Sequence, residues 1–132
     1  MQKETSNHAV FSLSYHLIIV TKRRQQVLDE ESTRRAGEII ARVGQAHAVT
    51  LEEINGEADH LHLLLRTKPT TNLIRFIDSA KGASSRILKA EFPAIRDALP
   101  TPHLWSRSYC LLTVGSNNKE TVRRYIQNQG QD

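Results

Sequence analysis

"HLHLLLR", residues 60–66, alternates strictly enough to read as a β-strand, with Leu61, Leu63 and Leu65 on one side and His60, His62, Leu64 and Arg66 on the other. A side made only of leucine is a core face, which assigns the two histidines to the opposite face of the sheet. Residues two apart on a strand are separated by about 6.7 Å, so two imidazoles there can converge on one ion. The same pattern suits two ordinary half-buried or surface histidines, and the rest of the chain has to choose between these readings.

Upstream, "VTLEEI" at 49–54 reads as a partner strand, with Asn55 and Gly56 opening the turn of an antiparallel hairpin. "VFSLSYHLIIVT" at 10–21 reads as an earlier strand, half-exposed at its start and buried later. Between them Asp29 is a candidate cap for a helix over about 30–47, in which Ala36, Ile39, Ile40, Val43 and His47 form one stripe. Downstream, Pro69 breaks the strand and Thr71 or Asn72 caps a helix to about residue 90, marked by Leu73, Phe76, Ile77, Ala80, Ile87 and Leu88. Gly82 costs that helix about 1 kcal/mol relative to alanine, which either a close backbone approach or simple toleration accounts for.

A loop punctuated by Pro93, Pro100 and Pro102 leads to Trp105 and a fourth strand at 109–114. "GSNN" ends that strand, and Asn117 with Glu120 resembles a capping box opening a last helix through "KETVRRYIQNQ". The expected order is β-α-β-β-α-β with one appended C-terminal helix, an α+β chain of ferredoxin-like (RRM-like) arrangement.

At 132 residues the chain fits a single domain, 1–132. Eighteen Lys and Arg against fourteen Asp and Glu give a net charge of +4, which favours a polyanionic partner. No apolar run is long enough for a membrane span, and the polar start "MQKETSNH" is unlike a signal peptide, so a cytoplasmic protein is expected. Cys110, the single cysteine, lies in an apolar run and is expected to be a buried structural thiol.

On the last helix Tyr125 and Gln129 are four apart and share a face with Val122 and Ile126 nearby, an arrangement that packing alone explains. Combined with the histidines it offers more. Two imidazoles and an amide oxygen make a three-ligand site for a divalent ion with open positions, and a tyrosine one turn from a ligand would be held beside it. A phenol is a weak nucleophile at neutral pH and needs nearby positive charge to favour its phenolate. Lys22, Arg23 and Arg24 after the first strand, with Lys81 and Arg86 on the second long helix, are candidates for a nucleic-acid backbone track, or else a solvated charged surface.

Taken together, "SYHLIIVTKRR", "DHLHLLL", "KGASSR", "LWSRSYCLLTVG" and "YIQNQ", in this order over about residues 14–129, resemble the HUH-type single-tyrosine transposases of bacterial insertion sequences that move as single-stranded DNA. The resemblance implies a ferredoxin-like fold in a homodimer with joined sheets. It implies His60, His62 and Gln129 as ligands of Mg²⁺ or Mn²⁺, and Tyr125 as the nucleophile. The implied reaction cleaves and rejoins single-stranded DNA at hairpin-marked element ends through a 5′-phosphotyrosine link, with the tyrosine helix docked in cis or on the partner subunit. Of the other histidines, His16 in the first strand is expected near the site behind its ligands, not as a ligand itself.

Two other readings use the same residues. A domesticated relative that processes chromosomal palindromic repeats would need identical chemistry. A non-catalytic nucleic-acid-binding module would present sheet aromatics for base stacking, but the chain has one Trp, three Tyr and three Phe, without the usual module pattern.

Overall fold

A computed structural model of the chain describes residues 4–6, 9–11, 13–115 and 119–129. A short hairpin, β1 (Glu4–Ser6) against β2 (Ala9–Phe11), precedes the main sheet. The first sheet strand, β3 (Leu13–Val20), starts exposed and ends fully buried, as its sequence pattern implies. The strand expected over 10–21 is thus two elements, β2 pairing locally with β1 and β3 with the main sheet.

Helix α1 (Glu30–Ala46) begins where Asp29 caps it: the carboxylate accepts from the Ser32 amide at 2.8 Å, and Ser32 Oγ accepts from the Asp29 amide at 2.8 Å. This reciprocal box satisfies two amides that a helix start otherwise leaves open. Ala36, Ile39 and Ile40 are buried on the stripe that the spacing predicts, and His47 is the C-terminal cap residue.

Strands β4 (Val49–Glu57) and β5 (His60–Thr67) follow. The turn expected at Asn55 and Gly56 is displaced: both lie inside β4, paired with His62 and Leu61, and the chain reverses at Ala58 and Asp59. A shift of register between Leu51 and Glu53 marks a bulge in β4.

Helix α2 (Leu73–Glu91) is capped by Asn72, whose side chain accepts from the Arg75 amide. Thr71 has a different task, since its hydroxyl accepts from Lys68 N and donates to the Ala48 carbonyl. The stretch expected as a plain Pro-rich loop holds a short helix, α3 (Pro93–Ala98), which Pro93 can open because the first helical position needs no amide donor. After β6 (Cys110–Thr113) the chain ends in α4 (Lys119–Asn128); the capping box expected at Asn117 lies outside the described residues.

The sheet order is β4-β5-β3-β6, antiparallel throughout. Leu61, Leu63 and Leu65 join Leu17 and Ile19 in a core completed by α1 and α2, including Ile40, Phe76, Ile77 and Leu88. The opposite face carries a smaller cluster in which Ile18, Val20 and Cys110 meet Leu112 and the α4 residues Val122, Tyr125 and Ile126.

Two helix glycines differ in what surrounds them. A Cβ on Gly44 would lie 2.4 Å from the Val49 carbonyl oxygen, so glycine there lets the end of α1 touch the start of β4. At Gly82 an added Cβ meets nothing within 4 Å, so no close approach explains that residue. Accordingly Gly44→Ala should lower the unfolding free energy measured by urea denaturation, by on the order of 1–3 kcal/mol. Gly82→Ala should raise it by about 0.5–1 kcal/mol, and a loss at Gly82 would refute the reading of open space.

Candidate active site on the histidine face

Pairing in the sheet fixes the neighbours of the two histidines. His62 stands opposite Ile18 and His60 opposite Val20, so all four share the face that α4 covers. His60 and His62 are half-buried, as expected for the side of β5 away from the leucine core.

His60 is oriented by its neighbour in sequence. Its Nδ1 lies 2.9 Å from Asp59 Oδ1, and since a carboxylate only accepts, Nδ1 carries a proton, which in the neutral ring leaves the lone pair on Nε2. The second carboxylate oxygen accepts from Arg24 Nε at 3.0 Å. Burial pulls the Asp59 carboxyl upward, but the hydrogen bonds from His60 and Arg24 outweigh it and hold the group below its ordinary value. Arg24, expected as a backbone contact, therefore has its guanidinium on Asp59. It reaches there from an unusual conformation, for Arg23 and Arg24 are consecutive non-glycine residues at φ 54° and 53°. Such left-handed residues persist only where their surroundings hold them.

His62 Nε2 lies 2.8 Å from His16 Nδ1, which makes His16 the immediate neighbour of the pair, on the same face. Burial, reinforced by His16 and His60, pushes the His62 imidazole below its ordinary value, so it is neutral near pH 7 and suited to hold a cation.

Tyr125 and Gln129 reach the same side of the sheet through residues 106–108. Ser106 N donates to the Val20 carbonyl at 2.8 Å, and Val20 pairs with His60 on its other side. Ser106 Oγ and Ser108 Oγ each donate to Gln129 Oε1 at 2.9 Å, and Ser108 Oγ lies 2.8 Å from Tyr125 Oη. Ser106 and His60 thus flank one strand, about 10 Å apart at the backbone. In this chain α4 lies on its own sheet.

The donors fit a divalent ion of borderline or hard character: two imidazoles, with a carboxylate behind one of them, joined by the Gln129 carboxamide oxygen once it gives up one of the two serine hydrogen bonds that fill its lone pairs. Glu57, Asp59 and His60 also place ligand atoms within 4.8 Å of one another, the cluster of this kind found among the described residues. Sequence reasoning missed Asp59 and Glu57 as well as both serines. Asp59 had a signal, a charged residue directly before His60 in a strand turn, whereas the serines had none.

Of the basic residues, Lys22, Lys81 and Arg86 line one surface cleft of about 680 Å³ together with Lys89, His103 and Arg107. Lys89 and Arg107 were not among the sequence candidates. Arg23 is exposed, and neither it nor Arg24 lines this cleft.

An α+β chain with paired histidines on one sheet face and a tyrosine helix laid over that face is of the class of the transposases, as its relatives show. It is 33% identical over 91% of its length to the ISDra2 transposase TnpA of Deinococcus radiodurans, covering 86% of that protein. It is 30% identical over 92% of its length to the transposase for insertion sequence element IS200 of Salmonella typhimurium, covering 80% of it. Among solved structures, a Deinococcus radiodurans protein assigned as a transposase superposes with a TM-score of 0.86 at 32% identity, over 96% of this chain and 97% of that one. A REP-associated tyrosine transposase bound to a REP hairpin shares the fold at a TM-score of 0.59 and 9% identity, over 95% of this chain and 68% of that one.

The IS200-like transposase family model matches residues 9–129, and the chain belongs to that family. No helix among the described residues is long and apolar enough to cross a membrane.

Proposed function

We propose that this transposase cuts and rejoins single-stranded DNA at hairpin-marked element ends, as a ferredoxin-like homodimer with joined sheets. In this reading Tyr125 is the nucleophile, and His60, His62 and Gln129 hold Mg²⁺ or Mn²⁺. Lys22 and Arg86 contact DNA along the basic cleft, Lys81 adds its charge to the cleft wall while its ammonium holds the carbonyls of residues 106–108, and Arg23 contacts DNA outside the cleft. The observation that carries the reading is the meeting of one face of α4, bearing Tyr125 and Gln129, with the sheet face bearing both histidines.

Tyr125 Oη attacks the phosphorus of a phosphodiester, the bond from phosphorus to the 3′ oxygen breaks, and the departing oxygen takes up the proton lost by the phenol. The products are a 5′-phosphotyrosine and a free 3′-OH. One diester has been exchanged for another, so a second 3′-OH can reverse the step on a different strand without ATP. When bound, the divalent cation supplies Lewis-acid polarisation of the phosphate. The protein's own share is positional. Asp59 fixes the ring and tautomer of His60, and the apolar contacts of Val122 and Ile126 seat the helix that presents Tyr125.

Incubation with Mn²⁺ and labelled single-stranded DNA containing a palindrome from beside the element should yield a denaturation-resistant adduct that carries the label 3′ of the cut. A fully duplex control should yield none. A label retained only on the other fragment would reverse the polarity assigned to the link.

A further inference from the structure

We propose that Ser108 is a positioning residue that sets Tyr125 against Gln129, and that Lys81 anchors the segment from which it works. The inference rests on the reading of Tyr125 as nucleophile and extends it to residues outside α4 and outside the histidine motif.

Proton bookkeeping defines the arrangement. Ser108 Oγ has a single proton, and it goes to Gln129 Oε1. The 2.8 Å contact with Tyr125 must then run the other way, with the phenol donating to Ser108 Oγ. Ser106 supplies a second donor to the same Gln129 oxygen. One short segment therefore grips two side chains that stand one helical turn apart, and fixes both their spacing and the direction of the phenol proton.

The segment has no helix or strand of its own to hold it. Its rigidity comes from Lys81 on α2, whose Nζ donates to the carbonyls of Ser106, Arg107 and Ser108 at 2.7, 3.2 and 3.2 Å. An ammonium has three protons, and here three consecutive carbonyls receive them. Upstream, the buried Trp105 donates through its indole to Ser84 Oγ at 2.9 Å, and Ser106 N is tied to Val20. Lys81 thus connects the basic cleft it lines with the seat of the tyrosine, which gives it a task distinct from a simple phosphate contact.

The test is single-turnover cleavage at saturating Mn²⁺, with single-stranded DNA affinity measured separately for Ser108→Ala, Ser108→Thr and Lys81→Met. Ser108 is exposed, so its variants leave the core untouched. Ser108→Ala should slow adduct formation by roughly 10- to 100-fold while DNA affinity stays within about twofold. Ser108→Thr, which restores a hydroxyl, should recover to within about threefold of the parent. Lys81→Met should slow cleavage as well, and adding Ser108→Ala to it should cost less than the product of the two single effects.

Ser108→Ala cleaving at the parent rate, or Ser108→Thr remaining as slow as Ser108→Ala, overturns the proposal. A loss of DNA affinity in Ser108→Ala equal to its loss of rate does so too. Tyr125→Phe, run alongside, separates the two levels: an active Tyr125→Phe removes the nucleophile, whereas an inactive one beside a fully active Ser108→Ala removes only the positioning role.

Discussion

Replacing Tyr125 by Phe is expected to reduce covalent capture of single-stranded DNA by about 10⁴-fold or more, the scale on which enzymes respond to loss of a nucleophile. Binding of the same DNA should change little. The ring stays in the apolar cluster with Ile18, Val20 and Cys110, and only the hydroxyl that meets Ser108 is removed. The measurement is the fraction of labelled strand that migrates with the protein on a denaturing gel, beside a binding isotherm for each protein. Retained adduct in the variant would refute the assignment.

The second large effect concerns the cation. His60→Ala should weaken Mn²⁺ binding by roughly 10³-fold, more than the 10–100-fold contributed by groups that only orient a ligand. Asp59→Asn tests that lesser scale. It leaves the shape of the turn but weakens the acceptor that holds the proton on His60 Nδ1, so affinity should fall about 10- to 100-fold. Arg24→Ala should act in the same direction and more weakly, since it reaches His60 only through Asp59. Titration of each variant with Mn²⁺, followed by electron paramagnetic resonance of the free ion, gives these affinities without relying on activity. If Asp59→Asn bound the ion as tightly as the parent protein, the orienting role of the carboxylate would be lost.

Much of the scaffold for these predictions is visible in local pattern. The leucine and histidine sides of β5, the Asp29 cap and the buried stripe of α1 each depend on residues within a turn or two of one another, and each stands where its spacing places it. Errors arose where a local signal met a stronger neighbour. Asn55 and Gly56 carry turn chemistry, yet β5 offers them ladder hydrogen bonds and draws them into β4. Pro93 reads as a breaker of helices, and it breaks α2 while opening α3.

By itself the sequence determined the order of the four main-sheet strands and of the helices α1, α2 and α4, the face on which His60 and His62 stand and the one-turn spacing of Tyr125 and Gln129, because strand and helix periodicity act over a few residues. Only the tertiary structure decided that Arg24 reaches Asp59, that His16 touches His62, and that Lys81 and Ser108 serve the tyrosine helix. Those partners are 17 to 46 residues apart along the chain in their hydrogen-bonded pairs. No periodicity connects such distant positions, and they meet because burying the leucine face of the sheet under α1 and α2 leaves the opposite face for α4.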